Sequence, residues 1–355
     1  MKSLLRRLGA LLLFVAAAIC FAPTLIPPFL DRIYYRGPPS GHFDGRHFFN
    51  PEDRAHPPRP VRAGFVARWA SGTGRAKWPD HVAVTPTRSP ARVEGSRMLV
   101  TWIGHSTVLV QTAGLNILTD PIWSERASPF SFAGPKRVRA PGVRFEDLPR
   151  IDLVLVSHNH YDHLDLPTLE RLWRRDRPAI VTSLGNDAIL RGEGIPAAAA
   201  DWGQSLRVRG TTVTIERVHH WGSRWGTDRN RALWSGFTVA TPSGKIFFAG
   251  DTGWGGGAWP AEAAKHGPFR FAILPVGAYL PREVMASNHM KPEESVAAFQ
   301  RLGVGTALGV HWGTFQLTFE AIDDPPRRLA AALKAAGIPA NRFVTTEVGQ
   351  TFEVP

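Results

Sequence analysis

The sequence predicts an α/β protein in which packed β-sheets are covered by helices. Short strand-like segments rich in β-branched and aromatic residues recur from about residue 97 to the C-terminal end. The run 151–156 is almost continuously apolar, which is typical of a strand that is buried on both faces. A few helical segments lie between the strands, and such a mixture is expected to pack as layers of sheet and helix.

The first predicted strands, 98–103, 107–110 and 115–119, are close enough in the chain to form an antiparallel meander. The buried strand 151–156 follows, and Asp165 then predicts the start of a helix. The remaining strands are predicted at 179–182, 205–208, 211–218, 234–240, 245–249, 271–274 and 306–310, and further helices at 292–302 and 326–336.

Residues 1–30 have the pattern of a secretory signal or a membrane anchor. Lys2, Arg6 and Arg7 precede an uninterrupted apolar or small stretch over 8–22. No favourable cleavage site follows, so an uncleaved anchor is preferred to a removed signal. Residues 31–96 are proline-rich and basic and are interpreted as an extended arm. The expected location is membrane-anchored or exported, at the bacterial inner membrane facing the periplasm.

The net charge of +12 is unevenly distributed along the chain. Residues 1–100 carry 15 Lys and Arg against 6 Asp and Glu, whereas residues 101–355 carry 27 against 24. A basic stretch beside an apolar segment favours an anionic membrane surface as partner. Nucleic acid is not expected, because no RNA-binding module or basic helix interleaved with aromatic residues is found. The single cysteine excludes an internal disulfide.

Four potential metal ligands directly follow the buried strand, in the pattern His158-x-His160-x-Asp162-His163. Side chains alternate along an extended backbone, so His158 and His160 are expected to point to the same side. Asp162 and His163 lie where the chain turns towards the predicted helix. Two metal ions could share such a loop, and imidazole with carboxylate ligands favours zinc, with iron or manganese as alternatives.

Further ligands are expected at the ends of three later strands. His219 and His220 follow the strand at 211–218, Asp251 follows 245–249, and His311 follows 306–310. Ligands from separate strand ends are consistent with a site at the rim of a rigid sheet. The strand pattern alone leaves the choice between His219 and His220 open.

These motifs resemble the metallo-β-lactamase superfamily over residues 97–355. The resemblance implies an αββα sandwich with a dinuclear metal centre, preceded here by the hydrophobic anchor and the extended arm. It also favours His220 over His219, because the family's ligand stands directly before the position of Trp221. The implied ligands are His158, His160 and His220 for one ion, and Asp162, His163 and His311 for the other, with Asp251 bridging.

Several segments are similar to those of a narrower family, the phospholipases D that hydrolyse N-acyl phosphatidylethanolamine. They are 102–107, 118–123, 220–221, 248–253, 275–279, 292–294 and 311–315. The resemblance implies attack on a phosphodiester by a hydroxide held at two divalent ions, which yields phosphatidic acid and an N-acylethanolamine. A phospholipid or another phosphate-bearing molecule is therefore the expected substrate. The neighbours of His289 depart from the family pattern, which leaves the particular lipid open.

The expected catalytic residues are Asp162, Asp251 and His289. His289 is interpreted as an acid or as a group that positions substrate, with an exposed loop histidine as the alternative. Asp120 is expected to orient a ligand histidine through the other ring nitrogen, with ordinary turn chemistry before Pro121 as the alternative. For His105, a packed histidine at a strand end is preferred to a similar supporting role.

Three other functions are alternatives to phospholipid hydrolysis. One is a sugar-phosphate lactonase or another small-molecule hydrolase on the same fold. The others are metal-dependent processing of nucleic acid and a non-catalytic envelope protein that retains the fold.

Overall fold

Two seven-stranded β-sheets form the centre of the protein in this computed structural model, which describes residues 2–25, 32–55, 64 and 71–355. The first sheet has the order β14-β1-β2-β3-β4-β5-β6 and the second β13-β12-β11-β10-β9-β8-β7. The strands are β1 (Met98–Gly104), β2 (Thr107–Thr112), β3 (Leu115–Thr119), β4 (Leu153–Val156), β5 (Ala179–Ser183), β6 (Ala198–Ala200), β7 (Ser205–Val208), β8 (Thr211–Glu216), β9 (Gly236–Thr241), β10 (Gly244–Phe248), β11 (Phe269–Pro275), β12 (Thr306–Val310), β13 (Phe343–Val344) and β14 (Thr351–Glu353).

Helices connect the strands and pack on the sheets. In the described residues they are α1 (Lys2–Leu25), α2 (Pro51–Ala55), α3 (Leu166–Asp176), α4 (Asn186–Gly192), α5 (Ala258–Ala263), α6 (Arg282–Met285), α7 (Pro292–Leu302) and α8 (Asp324–Ala335). Leu169 and Leu172 of α3 belong to the same buried cluster as Val154 and Val156 of β4, so this helix covers the first sheet. On the second sheet, α7 packs against β11 and α8 against α7.

The predicted α/β class is confirmed, since both sheets are mixed and carry helices. The β1–β2–β3 meander is antiparallel as predicted, whereas β3, β4 and β5 run parallel. The short edge strands β6, β13 and β14 and the helices α4 to α6 were not predicted. They contain only two to seven residues each, too few to show a hydrophobic period.

The main core lies between the two sheets. Val100 and Trp102 of β1 belong to one buried cluster with Phe237 of β9 and Phe271 of β11. Side chains alternate between the faces of a strand, so each sheet contributes one face to this layer and turns the other towards helices. The core therefore fixes the two sheets relative to each other, and with them the strand ends from which the candidate site is built.

The described part of the proline-rich arm packs on the sandwich. Phe43 and Phe48 are buried in the main core, with ring centroids 4.6 Å apart. His42 stacks on Trp202 at 4.5 Å, and its Nε2 lies 2.7 Å from a carboxylate oxygen of Asp201. Residues 32–55 are thus held by apolar and polar contacts to the domain that follows. The predicted boundaries at residues 30 and 96 stay predictions.

The apolar N-terminal stretch forms the helix α1, on which Leu11, Leu12, Leu13 and Phe14 are exposed. Among the described residues, no helix has the length and apolar character needed to cross a membrane. The predicted signal or anchor also includes residues 1 and 26–30, which lie outside the described residues. The exported location stays a prediction.

Candidate metal centre

The candidate site lies at one edge of the sandwich, where strands from both sheets end. β3 and β4 are parallel, so the residues after them, including Asp120 and His158, meet at the same edge of the first sheet. In the second sheet, β10 and β12 run parallel to β11, and β8 runs in the same direction because β9 is antiparallel to both β8 and β10. The chain after β8, β10 and β12 therefore delivers His220, Asp251 and His311 to one place.

Three histidines form the first group of converging nitrogen atoms, which we call the three-histidine group (His158, His160 and His220). Nδ1 of His160 lies 2.8 Å from Nε2 of His158 and 3.4 Å from Nε2 of His220. All three nitrogens lie within 4.8 Å of one another, as required of ligands to a single ion. His158 and His160 project to the same side, as the period-two spacing predicts.

Two carboxylates and two histidines form the second group, the carboxylate group (Asp162, His163, Asp251 and His311). Oδ2 of Asp251 lies 3.1 Å from Nε2 of both His163 and His311. Oδ2 of Asp162 faces the same two nitrogens at 3.3 and 3.4 Å. The same Asp251 oxygen lies 3.9 Å from Nε2 of His220, so it stands between the two groups.

Burial governs the protonation of the three-histidine group. It lowers the pKa of His158 and His220 well below the usual histidine value, and that of His160 to about 4. These imidazoles are consequently neutral at pH 7. A neutral imidazole presents the lone pair that a metal ion requires.

In the carboxylate group the pKa values of the histidines shift in the opposite direction. Burial again lowers the pKa of its histidines, but Asp251 and Asp162 outweigh it, so the pKa of His163 is raised well above its usual value and that of His311 to about 9. Burial raises the pKa of the two carboxyls, yet His163 holds both well below their usual range. These ionised carboxylates require a nearby positive charge, which either protons on the imidazoles or a metal ion can supply.

The donor set therefore fits metal ions. One donor atom at the centre of the carboxylate group, Oδ1 of Asp251, is buried without a hydrogen-bond partner. Buried polar atoms without partners are costly in a native protein unless a ligand satisfies them. Imidazole nitrogens and carboxylate oxygens are the donors that zinc, iron and manganese accept.

A layer of hydrogen bonds behind the ligands fixes their orientation. Oδ2 of Asp120 lies 2.6 Å from Nδ1 of His163 and accepts a 2.6 Å hydrogen bond from Oγ of Ser157. That hydroxyl also lies 2.8 Å from Nδ1 of His158. Asp120 thus has the position behind a ligand that the sequence predicts. Ser157 links the two ligand groups and was not singled out from the sequence, because serine after a strand carries no specific signal.

His105 supports Asp162 rather than standing apart from the site. Its ring is buried, and its Nε2 lies 2.9 Å from Oδ2 of Asp162. Its backbone carbonyl accepts hydrogen bonds from Nε1 of Trp102 and from the backbone N–H of His311. The sequence interpretation of His105 as a packed strand-end histidine is therefore incomplete, since the residue also contacts a candidate ligand.

The structure separates His219 from His220. The ring of His220 points into the cluster, and its Nδ1 lies 2.9 Å from the backbone carbonyl oxygen of Asn288. His219 faces the arm instead, where its Nε2 lies 3.2 Å from Oδ1 of Asp53. Asn50 in the arm also donates a 2.9 Å hydrogen bond to the backbone carbonyl of His220. The arm thus contacts the ligand loop directly.

His289 lies beside the cluster. Its ring is buried and stacks on that of His311 at 5.3 Å, and its Nδ1 lies 3.9 Å from Oδ2 of Asp251. Burial lowers the pKa of His289 to about 3, so the ring is neutral at pH 7. The alternative of an exposed loop histidine is wrong.

A cavity of about 240 Å³ opens onto the cluster. Its polar lining residues include His160, Asp162, Asp251 and His289, and its apolar ones include Trp221, Ala278, Met285 and Leu317. A molecule in this cavity would therefore contact both polar and apolar side chains. Such an arrangement suits a molecule with a polar reacting group and an apolar portion.

Backbone strain is concentrated at this edge. Of the eight non-glycine residues with positive φ in the described chain, four lie around the site, namely His105, Asp120, Ala278 and His311. A positive φ is unfavourable for a residue with a side chain and persists only where the surroundings enforce it. Strand ends that bend this sharply aim side chains into the space between the sheets.

The two-sheet fold and the buried cluster of histidines and aspartates define a metal-dependent hydrolase of the metallo-β-lactamase fold. A family model described as the beta-lactamase superfamily domain matches residues 115–312. The chain belongs to the metallo-β-lactamase superfamily, as the resemblance of its motifs implied.

Relatives and solved structures agree with this assignment. The chain is 38% identical over 272 residues to the N-acyl-phosphatidylethanolamine-hydrolyzing phospholipase D 1 of Caenorhabditis elegans, covering 73% of this chain and 76% of that protein. It is 39% identical over 258 residues to an uncharacterised protein of Mycobacterium tuberculosis, covering 70% and 68%. The fold is also similar to that of a metallo hydrolase from Ignicoccus hospitalis, with a TM-score of 0.56, 19% identity and coverage of 73% and 99%.

Proposed function

We propose that the protein is a zinc-dependent phosphodiesterase of the phospholipase D type that acts on N-acyl phosphatidylethanolamine or a related phospholipid. The observation that carries the proposal is the cluster of seven histidine and aspartate side chains, three of which (His160, Asp162 and Asp251) line a cavity that also has apolar lining residues. The 38% identical relative, whose name specifies hydrolysis of N-acyl phosphatidylethanolamine, supports the choice of substrate.

In this proposal the three-histidine group would hold one divalent ion and the carboxylate group the other, with Asp251 facing both. Bound ions would supply Lewis acidity to a phosphoryl oxygen and lower the pKa of a water molecule. Zinc is preferred because its usual donors are imidazole nitrogen and carboxylate oxygen. Metal analysis of the purified protein tests that preference independently of any substrate.

The protein's own residues would hold this site in a fixed geometry. The Asp120 carboxylate fixes the orientation of the His163 ring through Nδ1, and the carbonyl of Asn288 does the same for His220. A ligand ring that is held through its other nitrogen keeps one tautomer and one orientation. No reorganisation of these rings would then be needed when substrate binds, which is how a preorganised site lowers a barrier.

His289 would position substrate rather than deliver a proton from an imidazolium ion. Its ring is neutral at pH 7, because burial lowers its pKa to about 3, and positive ions nearby would lower the pKa further. A neutral imidazole can still donate one hydrogen bond from N–H. The unpartnered Nδ1 of His289 borders the same cavity as Asp251, where it could contact a phosphoryl or leaving-group oxygen.

The reaction would exchange one bond at phosphorus. The oxygen of water forms a new P–O bond, and the P–O bond to the N-acylethanolamine oxygen breaks. One proton from the water ends on the departing oxygen, which leaves as the alcohol. Phosphatidic acid remains, so atoms and charge balance without a further reactant.

Product analysis by lipid mass spectrometry with purified, metal-replete protein tests the proposal. Three substrates should be compared: N-acyl phosphatidylethanolamine, a bis-aryl phosphodiester and a sugar lactone. We expect phosphatidic acid and N-acylethanolamine in equal amounts, and loss of both products after chelation. Turnover of the lactone without any phosphodiesterase activity would overturn the proposal.

A further inference from the structure

The exposed large apolar side chains are unevenly distributed over the described part of the chain. Beyond the helix α1, they are Ile33, Phe130, Phe132 and Trp225. The three aromatic residues have exposed fractions of 51%, 79% and 46%, respectively, and we call them the aromatic rim. Exposed aromatic residues that cluster in one region mark a surface that binds another molecule or a membrane.

Hydrogen bonds within the loop that carries Phe130 and Phe132 stabilise the conformation in which both rings are exposed. Arg126 donates hydrogen bonds from Nε to the carbonyl of Ser131 at 3.1 Å and from Nη1 to the carbonyl of Gly134 at 2.6 Å. The backbone N–H of Ala127 donates to the carbonyl of Pro135 at 3.0 Å. The two phenyl rings contact each other with centroids 5.4 Å apart. The loop therefore presents both rings together.

The aromatic rim borders the candidate metal centre. Ala127, at the start of the loop, lines the 240 Å³ cavity with Asp162 and Asp251. Ser128 and Pro129 line a second cavity of about 600 Å³, whose wall also includes Trp225. Tyr161 belongs to both cavities and packs edge-on against Trp225 at 6.4 Å. The loop of Phe130 and Phe132 thus reaches the cavity of the metal centre through Ala127, and Trp225 reaches it through Tyr161.

Basic side chains accompany the aromatic rim. The segment 124–139 contains four Lys or Arg residues and one Glu, and the second cavity adds Arg32 and Arg224 against Asp165, Glu170 and Glu193, which leaves a net charge of +2. The guanidinium group of Arg32 lies over the Trp225 ring at 4.8 Å, and that of Arg229 over the Trp221 ring at 4.0 Å. Tryptophan and phenylalanine beside Lys and Arg form the combination that binds the interface of an anionic bilayer.

We infer that the aromatic rim inserts into the interfacial region of an anionic phospholipid bilayer and brings the mouth of the metal centre to lipid headgroups. The inference rests on the proposed function, because a lipid substrate resides in such a surface, and it specifies how that substrate reaches the site. It concerns the loops around the site and is independent of α1. Phe130 and Phe132 would lose their exposure to water on insertion, which favours binding.

A fluorescent label within the rim loop tests the inference directly. The full chain carries one cysteine, Cys20, so a C20S background allows an environment-sensitive dye to be attached at S131C, an exposed position between the two phenylalanines. A matched control carries the dye at A335C, exposed at the end of α8. Vesicles should contain phosphatidylglycerol in one series and only phosphatidylcholine in the other.

We expect the emission of the dye at position 131 to shift to shorter wavelength with phosphatidylglycerol vesicles and to shift less with phosphatidylcholine. The dye at position 335 should report water in both series. Adding F130S and F132S should abolish the shift at position 131, and F130W with F132W should restore it. A dye at position 131 that stays in water while the chain co-sediments with vesicles would overturn the inference, because binding would then arise elsewhere, for example through α1. A shift that grows with protein concentration without vesicles would also overturn it and would indicate a second copy of the chain.

Activity provides a second readout. The F130S/F132S double variant should lower the ratio of turnover on vesicle lipid to turnover on the bis-aryl phosphodiester by about tenfold or more. An unchanged ratio would contradict the inference. The dye experiment needs no turnover, so insertion without lipid hydrolysis would refute the proposed function alone, and lipid hydrolysis without insertion would refute this inference alone.

Discussion

The three-histidine group and the carboxylate group lie side by side, yet the same kind of ring has opposite properties in each. Burial makes the imidazole of His160 neutral, with a pKa of about 4, whereas facing carboxylates raise the pKa of His311 to about 9. His311 is buried and His160 is partly buried, so burial lowers the pKa of both rings and does not explain the contrast. The difference arises from Asp162 and Asp251, which face only one of the two groups closely.

This contrast shows that the two groups would bind metal in different ways. The three-histidine group has neutral nitrogens that are ready to coordinate an ion at pH 7. The carboxylate group attracts a cation more strongly, but an incoming ion must first displace protons from His163 and His311. Asp251 belongs to the carboxylate group and also approaches His220, so the behaviour of the two groups depends on this one residue.

Replacing Asp251 by Asn should have the largest effect, because it removes the carboxylate that lies between the groups. We expect hydrolysis to fall by at least about 10³-fold, since the charge stabilisation that metal ions provide is worth several kcal/mol. The metal content should fall as well. Turnover and metal stoichiometry measure the two effects, and circular dichroism checks that the fold is retained. Unchanged turnover in D251N would reject a dinuclear mechanism.

The neighbouring histidines His219 and His220 offer a matched pair. H220A removes a ring that points into the three-histidine group, so it should lose about one metal equivalent per chain and most of the activity. H219A removes a ring that faces Asp53 in the arm, so its metal content should match that of the natural sequence. Metal analysis of the two purified variants decides the matter, and equal metal loss in both would contradict the placement of these rings.

The two groups should release their metal ions at different pH values. The raised pKa values of His163 and His311 mean that protons compete with metal there as the pH falls through about 9 and below. The lowered pKa of the three histidines leaves that group unprotonated until the pH approaches about 4. We therefore expect one ion per chain to leave first on lowering the pH from 9 to 5, while the other remains.

Metal analysis after dialysis at each pH measures this release, and H311A serves as control because it alters only the carboxylate group. In that variant the early release should be absent. Loss of both ions at the same pH in the natural sequence would show that the two groups are not electrostatically distinct.

Much of the candidate site could be predicted from the sequence because its candidate ligands follow strands. His158 and His160 are two residues apart on an extended segment, and Asp251 and His311 each end an apolar run, so local pattern sufficed. The supporting residues could not be found in this way. Ser157 donates a hydrogen bond to Asp120, which lies 37 positions earlier in the sequence. Asn50 donates one to the backbone carbonyl of His220, 170 positions later.

The choice between His219 and His220 illustrates the same limit. In an extended strand the two rings point to opposite faces, and spacing alone does not say which face is the site. The resemblance to a known family favoured His220, and in the structure His219 instead faces Asp53 of the arm. The packing of that arm could not be predicted, because residues 31–96 show no strand or helix period that would place them on the sandwich.

Replacing Asn50 by Ala should have the smallest effect on metal binding. This variant tests whether the arm supports the three-histidine group. Its Nδ2 donates to the carbonyl of His220, and its Oδ1 accepts a 3.1 Å hydrogen bond from Nε1 of Trp234. N50A leaves both buried partners without this contact, so we expect a loss of about 1–3 kcal/mol in the free energy of unfolding, measured in urea. Metal affinity should also fall, by about tenfold, because the loop that carries His220 loses its support.

The matched control is T87V, which removes the 2.7 Å hydrogen bond from another arm residue to the backbone carbonyl of Gly349, outside the loop that carries His220. If T87V and N50A lower metal affinity equally, the arm stabilises the whole domain and has no particular relation to the ligand. If only N50A does so, the arm positions His220. Asn50 does not contact the carboxylate group through these bonds, so that group should keep its ion in both variants. The arm would then support only the three-histidine group, which is a further difference between the two groups.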